Sequence, residues 1–345
     1  MSIRQIKHCI LWTCERIGLF ALASWCYRSR LQILCYHGFE TRDETRFRPQ
    51  LFISAATFRR RLAWLAQRGM NAIGLDDAVA RLYAGTLPPR SVVITIDDGF
   101  ASTLSVAQPL LKERGVPATV YVTTYYVDHQ VPVFRLALQY LCWQAQVLGR
   151  DLSAVADMTP AGFESRHSQG EPLWRLIEWG EALGTEAERS RLLDGVAARW
   201  GLDIDTLRAS RALSLLDAQE VRALSDQGMD IQLHTHRHRF PALARNLAIQ
   251  EIAQNQARLQ EILGSPPWHF CYPSGLYRET QWPWLSEWGA RSATTCLAGL
   301  NDARTPRYGL RRFLDSEFIT DLEFRAEISG FNEWLRMVRK RLGGV

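Results

Sequence analysis

The chain has 345 residues, 47% hydrophobic and 22% charged, with a formal net charge of +5. These values exclude a disordered or collagen-like chain and leave one large domain with an insertion, or two domains. The positive charge is carried almost wholly by Arg, Lys occurring only at Lys7, Lys112 and Lys340, and no long basic tract with interleaved aromatics argues for a nucleic-acid partner.

The first expected element is a helix over residues 1–30. Ile10 to Tyr27 is largely apolar, but Glu15 and Arg16 interrupt it, which argues against a spanning helix. Ile17 to Trp25 has the length of a short signal h-region, with Ala21-Leu22-Ala23 as a weak cleavage site. The preferred reading is an amphipathic helix lying against the fold or on a membrane surface, with Arg4, Lys7, Arg16, Arg28 and Arg30 near lipid headgroups. The seven cysteines, an odd number with no Cys-x-x-Cys pair, read as reduced thiols and point to the cytoplasm, with peripheral contact at the inner face of the membrane as an option.

A β/α alternation follows. Leu31 to Tyr36 is expected as a buried strand ending at His37-Gly38. Ser54 caps a helix running to Arg68, with Gly69 as its stop. Asn71 to Leu75 is a short strand and Asp76 to Ala84 a helix. The run Val92-Val93-Ile94-Thr95-Ile96 is a strand buried on both faces, and it ends in Asp97-Asp98-Gly99. A helix then leads to Gly115-Val116-Pro117 and a strand from Ala118 to Thr123. Strand and helix in this cadence mean parallel β/α units over residues 31–128.

Between residues 129 and 214 the cadence breaks. This stretch is helical in period and punctuated by Gly162, Gly170 and Pro172, and it reads as an insertion flanking a barrel. The alternation resumes over residues 215–320. Leu215 to Gln227 is a helix and Met229 to Leu233 a strand ending in His234-Thr235-His236-Arg237-His238. A long amphipathic helix buries Ile249, Ile252, Leu259 and Leu263. Trp268 to Tyr272 is a strand running into Pro273-Ser274-Gly275. Trp282, Trp284 and Trp288 lie on or near the next helix, read as core residues with sugar platforms as the alternative. Ala290 to Thr295 and Gly309 to Phe313 are the last strands, and a basic amphipathic helix from Asp321 to Leu342 occupies residues 321–345.

Chemistry in parallel β/α folds gathers where strands end. Two adjacent carboxylates at the end of a buried strand are costly unless something positive lies beside them. One can hold a metal ion while the other works on water. His234 and His238, spaced for one face of a helical turn, complete a His₂Asp set with open positions, the pattern of a catalytic Zn²⁺; on a strand, His234 with His236 is the alternative pair. Cys271 and Cys296 read as core residues.

Thr95-Ile96-Asp97-Asp98-Gly99 and His234-Thr235-His236-Arg237-His238 resemble the first two motifs of the polysaccharide deacetylase (NodB-homology, carbohydrate esterase 4) family. Tyr36-His37-Gly38 and Phe270-Cys271-Tyr272-Pro273-Ser274-Gly275 are similar to segments of its bacterial exopolysaccharide branch. The resemblance implies a distorted (β/α) barrel, with the helical insertion between the two metal motifs, and a divalent metal, usually Zn²⁺. It also implies removal of N-acetyl, in some members O-acetyl, groups from glycans. By position, Asp97 resembles the general base and Asp98, His234 and His238 the metal ligands. Ser274, following Pro273, is the candidate for a backbone N–H that supports the oxyanion. Tyr272, Pro273 and Arg312 are expected to bind substrate.

Two departures stand out. Cys271 occupies the place where the family's third motif often has an Arg that steers the base. Where the family has a late Leu-x-His, this chain has Leu310-Arg311-Arg312. Arg311 or Arg312 is therefore expected to steer Asp97, and His37 to donate the proton. The expected activity is metal-dependent N-deacetylation of a polysaccharide or a lipid-linked glycan precursor. The alternatives are a deformylase or other C–N hydrolase on a lipid-linked aminosugar, and a metal-containing glycan-binding module without catalysis.

Overall fold

The computed structural model describes residues 2–164 and 172–341. Eight short strands form one parallel sheet: β1 (Gln32–Tyr36), β2 (Asn71–Ala72), β3 (Ser91–Ile96), β4 (Ala118–Val122), β5 (Asp230–Leu233), β6 (His269–Cys271), β7 (Ser292–Thr294) and β8 (Phe313–Leu314). Their order is β8-β1-β3-β4-β5-β6-β7, while β2 pairs with the start of β3. The chain leaving β7 bridges back through Leu310 to Thr294 and then pairs with β1 as β8. The sheet thus curls almost shut, giving the distorted (β/α) barrel expected.

Every residue of β1, β3 and β4 is buried, because both faces of each strand are covered. Side chains alternate along a strand, so Val93, Thr95 and Asp97 share one face. Val93 packs there with Ile33, Tyr121, Cys271 and Leu310, above a plug formed by Leu75, Ala78, Val79 and Leu82. Val92, Ile94 and Ile96 point the other way, into the larger core beneath the surrounding helices. The barrel interior is therefore apolar at one end and polar where Asp97 sits.

Helices Phe134–Val147, Pro172–Ala182, Glu186–Trp200 and Ile204–Ser210 build a second core. Phe100, the residue after Gly99, is buried in it with its ring 5.3 Å from Phe52. The Gly99 carbonyl accepts from Leu216 and the Ala101 N–H donates to Ser214. These contacts tie the turn after β3 to the helical cluster. Gly170 lies outside the described residues.

Several elements differ from expectation at their ends. The strand expected from Asn71 stops at Ala72, because Gly74 caps the helix Leu75–Ala84. After Gly99 the chain makes a π-helical turn, Thr103–Ala107, before the short helix Gln108–Glu113. The helix expected from Leu215 begins at Ala218, capped by Asp217 with Glu220 reciprocating. The strand expected over Gly309 to Phe313 is a single bridge at Leu310 followed by β8.

Both terminal helices are broken. Residues 1–30 contain α1 (Ile3–Arg16) and α2 (Leu19–Cys26), bent by 72° about Gly18. Among the described residues no single helix is long and apolar enough to cross a membrane. Between β5 and β6 runs α3 (Arg245–Leu263). The C-terminal part splits into α4 (Asp321–Ile328) and α5 (Phe331–Arg341). Gly330 between them has φ +79, and a Cβ there would come within 2.7 Å of the Tyr27 ring, so the break needs glycine both for its backbone and for its neighbour. Leu342 lies outside the described residues.

Candidate metal centre and active site

At the carboxyl end of the sheet gather four of the six non-glycine residues that have left-handed backbone among the described residues: Asp98 (φ 69), Thr235 (φ 64), His238 (φ 55) and Ser274 (φ 56). Strain of this kind costs roughly 1–3 kcal/mol per residue and persists where the surrounding structure holds it. Asp98 and Gly99 turn left-handed in succession, so the carboxylates of Asp97 and Asp98 leave the strand in different directions. Asp97 points into the barrel and Asp98 across its rim toward the loop after β5.

That loop is not the helical turn expected from the His-x-x-x-His spacing. Left-handed Thr235 and His238 fold it back on itself, which brings the two imidazoles to a ring separation of 4.9 Å. His234 Nε2 lies 3.2 Å from Asp98 Oδ1 and His238 Nε2 lies 3.3 Å from the same oxygen. His236 faces elsewhere, with Nδ1 3.0 Å from Thr124 Oγ1 and its ring against Tyr125. The strand alternative of His234 with His236 is thereby set aside.

The donor chemistry of this cluster fits a divalent cation. His234 Nδ1 lies 2.9 Å from the Cys271 carbonyl, which can only accept, so Nδ1 is assigned the hydrogen and Nε2 presents a lone pair. That lone pair faces a carboxylate oxygen, as does His238 Nε2. A lone pair facing a carboxylate oxygen is repelled unless a proton or a cation lies between them. Separations near 3.3 Å are what a tetrahedral ion with bonds of about 2.0–2.1 Å imposes on its ligands. Asp98 and His238 are partly exposed and His234 is buried, so the cluster opens on one side.

Asp97 is held differently. Arg312 grips it bidentately, Nη1 to Oδ1 and Nη2 to Oδ2, each at 2.7 Å. The same guanidinium donates to Thr95 Oγ1 at 3.1 Å and to the Thr295 carbonyl at 2.9 Å. Two buried thiols, Cys35 and Cys271, donate to Asp97 Oδ2 at 3.4 and 3.3 Å. Burial would push the Asp97 carboxyl up, but Arg312 outweighs it and holds the group well below the usual carboxylate range. Asp98 is likewise held low, His234 and His238 offsetting its burial. Burial works against a charged His234, yet Asp98 and Asp97 lift its imidazole above the usual value.

Other expected site residues fall in mixed places. His37 reaches the centre, with Nε2 3.9 Å from Asp97 Oδ2. Burial lowers its pKa although Asp98 and Asp97 oppose the change, so the neutral imidazole is favoured. Ser274 is exposed in the turn after β6, and no acceptor among the described residues takes its backbone N–H. Three substrate contacts need correction. Arg312 is fully buried and committed to Asp97, so it cannot reach a substrate. Tyr272 is buried, its ring stacked on Tyr277 and its hydroxyl bonded to the Tyr308 carbonyl. Pro273 is buried beneath the turn. Arg311, the other candidate for steering, donates its backbone N–H to Asn301 and points its side chain at Glu333.

Sequence reasoning missed two contributors. Asn255 on α3 is fully buried; its Oδ1 accepts from the His234 N–H at 3.0 Å and its Nδ2 donates to the Val122 carbonyl and Thr124 Oγ1. It ties the ends of β4 and β5 together and fixes where His234 begins. Its signal was an amide on the buried stripe of an amphipathic helix, between Ile252 and Leu259. Cys271 is more than a core residue, since it touches both Asp97 and Arg312.

The Arg312 fork makes a direct prediction. Arg312→Lys keeps a charge but cannot match two oxygens at once, so turnover should fall roughly 10–100-fold while bound metal is kept, as for lost supports of metal-site residues. Arg312→Met leaves Asp97 buried without its partner and should cost about 3–5 kcal/mol in chemical denaturation. Wild-type turnover in Arg312→Lys would show that Asp97 needs no such clamp.

A polysaccharide deacetylase family model matches residues 84–169 and 183–293. The solved Streptococcus pyogenes deacetylase PplD, in complex with acetate, is similar over 87% of this chain and 98% of its own, with TM-score 0.57 and 16% identity. IcaB from Ammonifex degensii is similar over 87% and 97%, with TM-score 0.55 and 20% identity. YxkH of Bacillus subtilis (strain 168), described as a polysaccharide deacetylase, is 26% identical over 103 residues, 30% of this chain; the match spans 35% of that relative's length.

Proposed function

Because this chain belongs to the polysaccharide deacetylase family, hydrolases of carbon–nitrogen bonds, we propose that it is a metal-dependent deacetylase. Its substrate is the N-acetyl group of a polysaccharide or a lipid-linked glycan precursor. The observation that carries the reading is the convergence of His234 Nε2 and His238 Nε2 on Asp98 Oδ1, at 3.2 and 3.3 Å. Asp97, clamped in an ionised form, lies beside them.

Asp98, His234 and His238 would hold a divalent cation, with Zn²⁺ the best match for two imidazoles and a carboxylate. Such an ion supplies Lewis acidity to the acetyl carbonyl and acidifies the attacking water. Asp97 takes the proton of that water; it stays ionised because Arg312 faces it, and it stays in one orientation because the fork admits no other. The Ser274 N–H supports the oxygen that gains charge as water adds. His37, beside Asp97, receives that proton from Asp97 and passes it to the leaving amine, so that the C–N bond breaks into a free amine and acetate and Asp97 is again ionised. An imidazole that is neutral at rest and next to the base suits a relay.

Acetate and formate release from a panel of N-acetylated and N-formylated glycans, including lipid-linked aminosugars, tests this reading. Acetate from the N-acetylated members is expected. Formate alone would replace deacetylation by deformylation, and tight glycan binding with neither product would remove catalysis altogether.

A further inference from the structure

We propose that the outer face of α1, α2 and α5 docks this protein on a membrane surface that carries anionic lipid. Seventeen large apolar side chains are exposed among the described residues, and nine of them lie on these helices or the joint between α1 and α2: Ile6, Ile10, Trp12, Ile17, Leu22, Trp25, Trp334, Leu335 and Val338. Such crowding on three short helices is not the scatter expected of an ordinary surface.

The pattern within each helix says which side is free. In α1, Arg4, Lys7, Leu11 and Glu15 face the body of the protein, where Arg4 lies over Phe318, Lys7 pairs with Glu323 and Glu15 with Arg325. Ile6 and Ile10, one turn apart, are exposed on a flank turned away from those contacts, and Ile17 is exposed at the joint that follows. The eight residues of α2 include no charge, yet only Phe20 and Ala23 are buried. A helix apolar all round with one face in water needs a second apolar phase.

The charges select lipid over another protein. Arg16 lies 5.2 Å from the Trp12 ring and Arg28 lies 4.7 Å from the Trp25 ring. Trp beside Arg is the composition of a membrane interface, where the indole sits at headgroup depth and the guanidinium reaches phosphate. Arg339 and Lys340 add exposed positive charge on α5. The acids of these helices are Glu15 and Glu333, and both are paired with Arg. The face is therefore apolar with positive edges, complementary to an anionic leaflet. α2 leads into β1 at the amino-terminal end of the sheet, opposite the end that carries Asp97 and Asp98, so docking leaves the site open.

The test is cosedimentation of the intact protein with phosphatidylcholine vesicles, with and without phosphatidylglycerol, at low and high salt. Binding to the mixed vesicles that weakens with salt is expected. Ile10→Glu with Leu22→Glu should weaken it at least about tenfold, and Arg16→Glu with Arg28→Glu about tenfold with loss of the salt dependence. All four positions are exposed or lie at the surface, so circular dichroism and melting temperature should stay as in the wild type. Failure of the wild-type protein to bind mixed vesicles overturns the proposal. So does a concentration-dependent dimer in analytical ultracentrifugation that the same substitutions abolish, since that would assign the face to a second copy of the chain.

Discussion

Asp98→Ala is expected to release the metal ion and abolish turnover together. Asp98 Oδ1 is the one oxygen to which both imidazoles point, so its removal leaves two nitrogens and no anionic ligand. Two neutral imidazoles on a partly open loop hold a dication weakly, and excess metal should not restore the wild-type rate. Several kcal/mol of carbonyl polarisation would be lost with the ion, or roughly a 10³-fold drop in turnover or more. Folding should suffer little. Alanine tolerates the left-handed backbone of Asp98 less well than aspartate does, but the carboxylate crowds no apolar core, so the melting temperature of the metal-free protein should fall only slightly. Steady-state acetate release and metal content, measured on the same preparations, check both halves. Metal bound stoichiometrically to Asp98→Ala would remove Asp98 from the ligand set.

Asp97→Asn should separate what Asp98→Ala joins. The amide is close in shape to the carboxylate, and Asp97 is no part of the His234–His238–Asp98 cluster, so metal content should remain near that of the wild type. Turnover should fall about 10²–10⁴-fold, the range for loss of a positioned general base. The substitution also carries a structural cost. Arg312 is fully buried and loses its counter-charge together with one of its two acceptor oxygens, which should lower stability by about 3–5 kcal/mol in urea unfolding. A variant that keeps its metal and its activity would take the role of base away from Asp97.

What could be read from the sequence follows from the range of each signal. Buried strands announce themselves by continuous β-branched runs, so the ends of β3 and β5, and with them Asp97, Asp98, His234 and His238, could be named. The shape of the second loop could not. Its spacing suits a helix, and only the left-handed turns at Thr235 and His238 show that a folded-back loop does the same work. Arg312 was legible only as one of two candidates for steering Asp97, because nothing local distinguishes a buried arginine from a surface one. Its partner lies 215 residues away in the chain. The buried fates of Tyr272 and Pro273 were hidden for a related reason. A strand-end motif says which residues are near a site, but not which of them the following turn covers. Gly18 and Gly330 were read through as helix interior, because a single glycine inside a helical period does not by itself say that the helix breaks there.

The most direct test of the site is metal analysis of the purified protein, coupled to acetate release from an N-acetylated glycan before and after chelation. One divalent cation per chain is expected, with activity lost on chelation and restored by Zn²⁺. A metal-free protein that releases acetate at an unchanged rate would contradict the assignment of Asp98, His234 and His238.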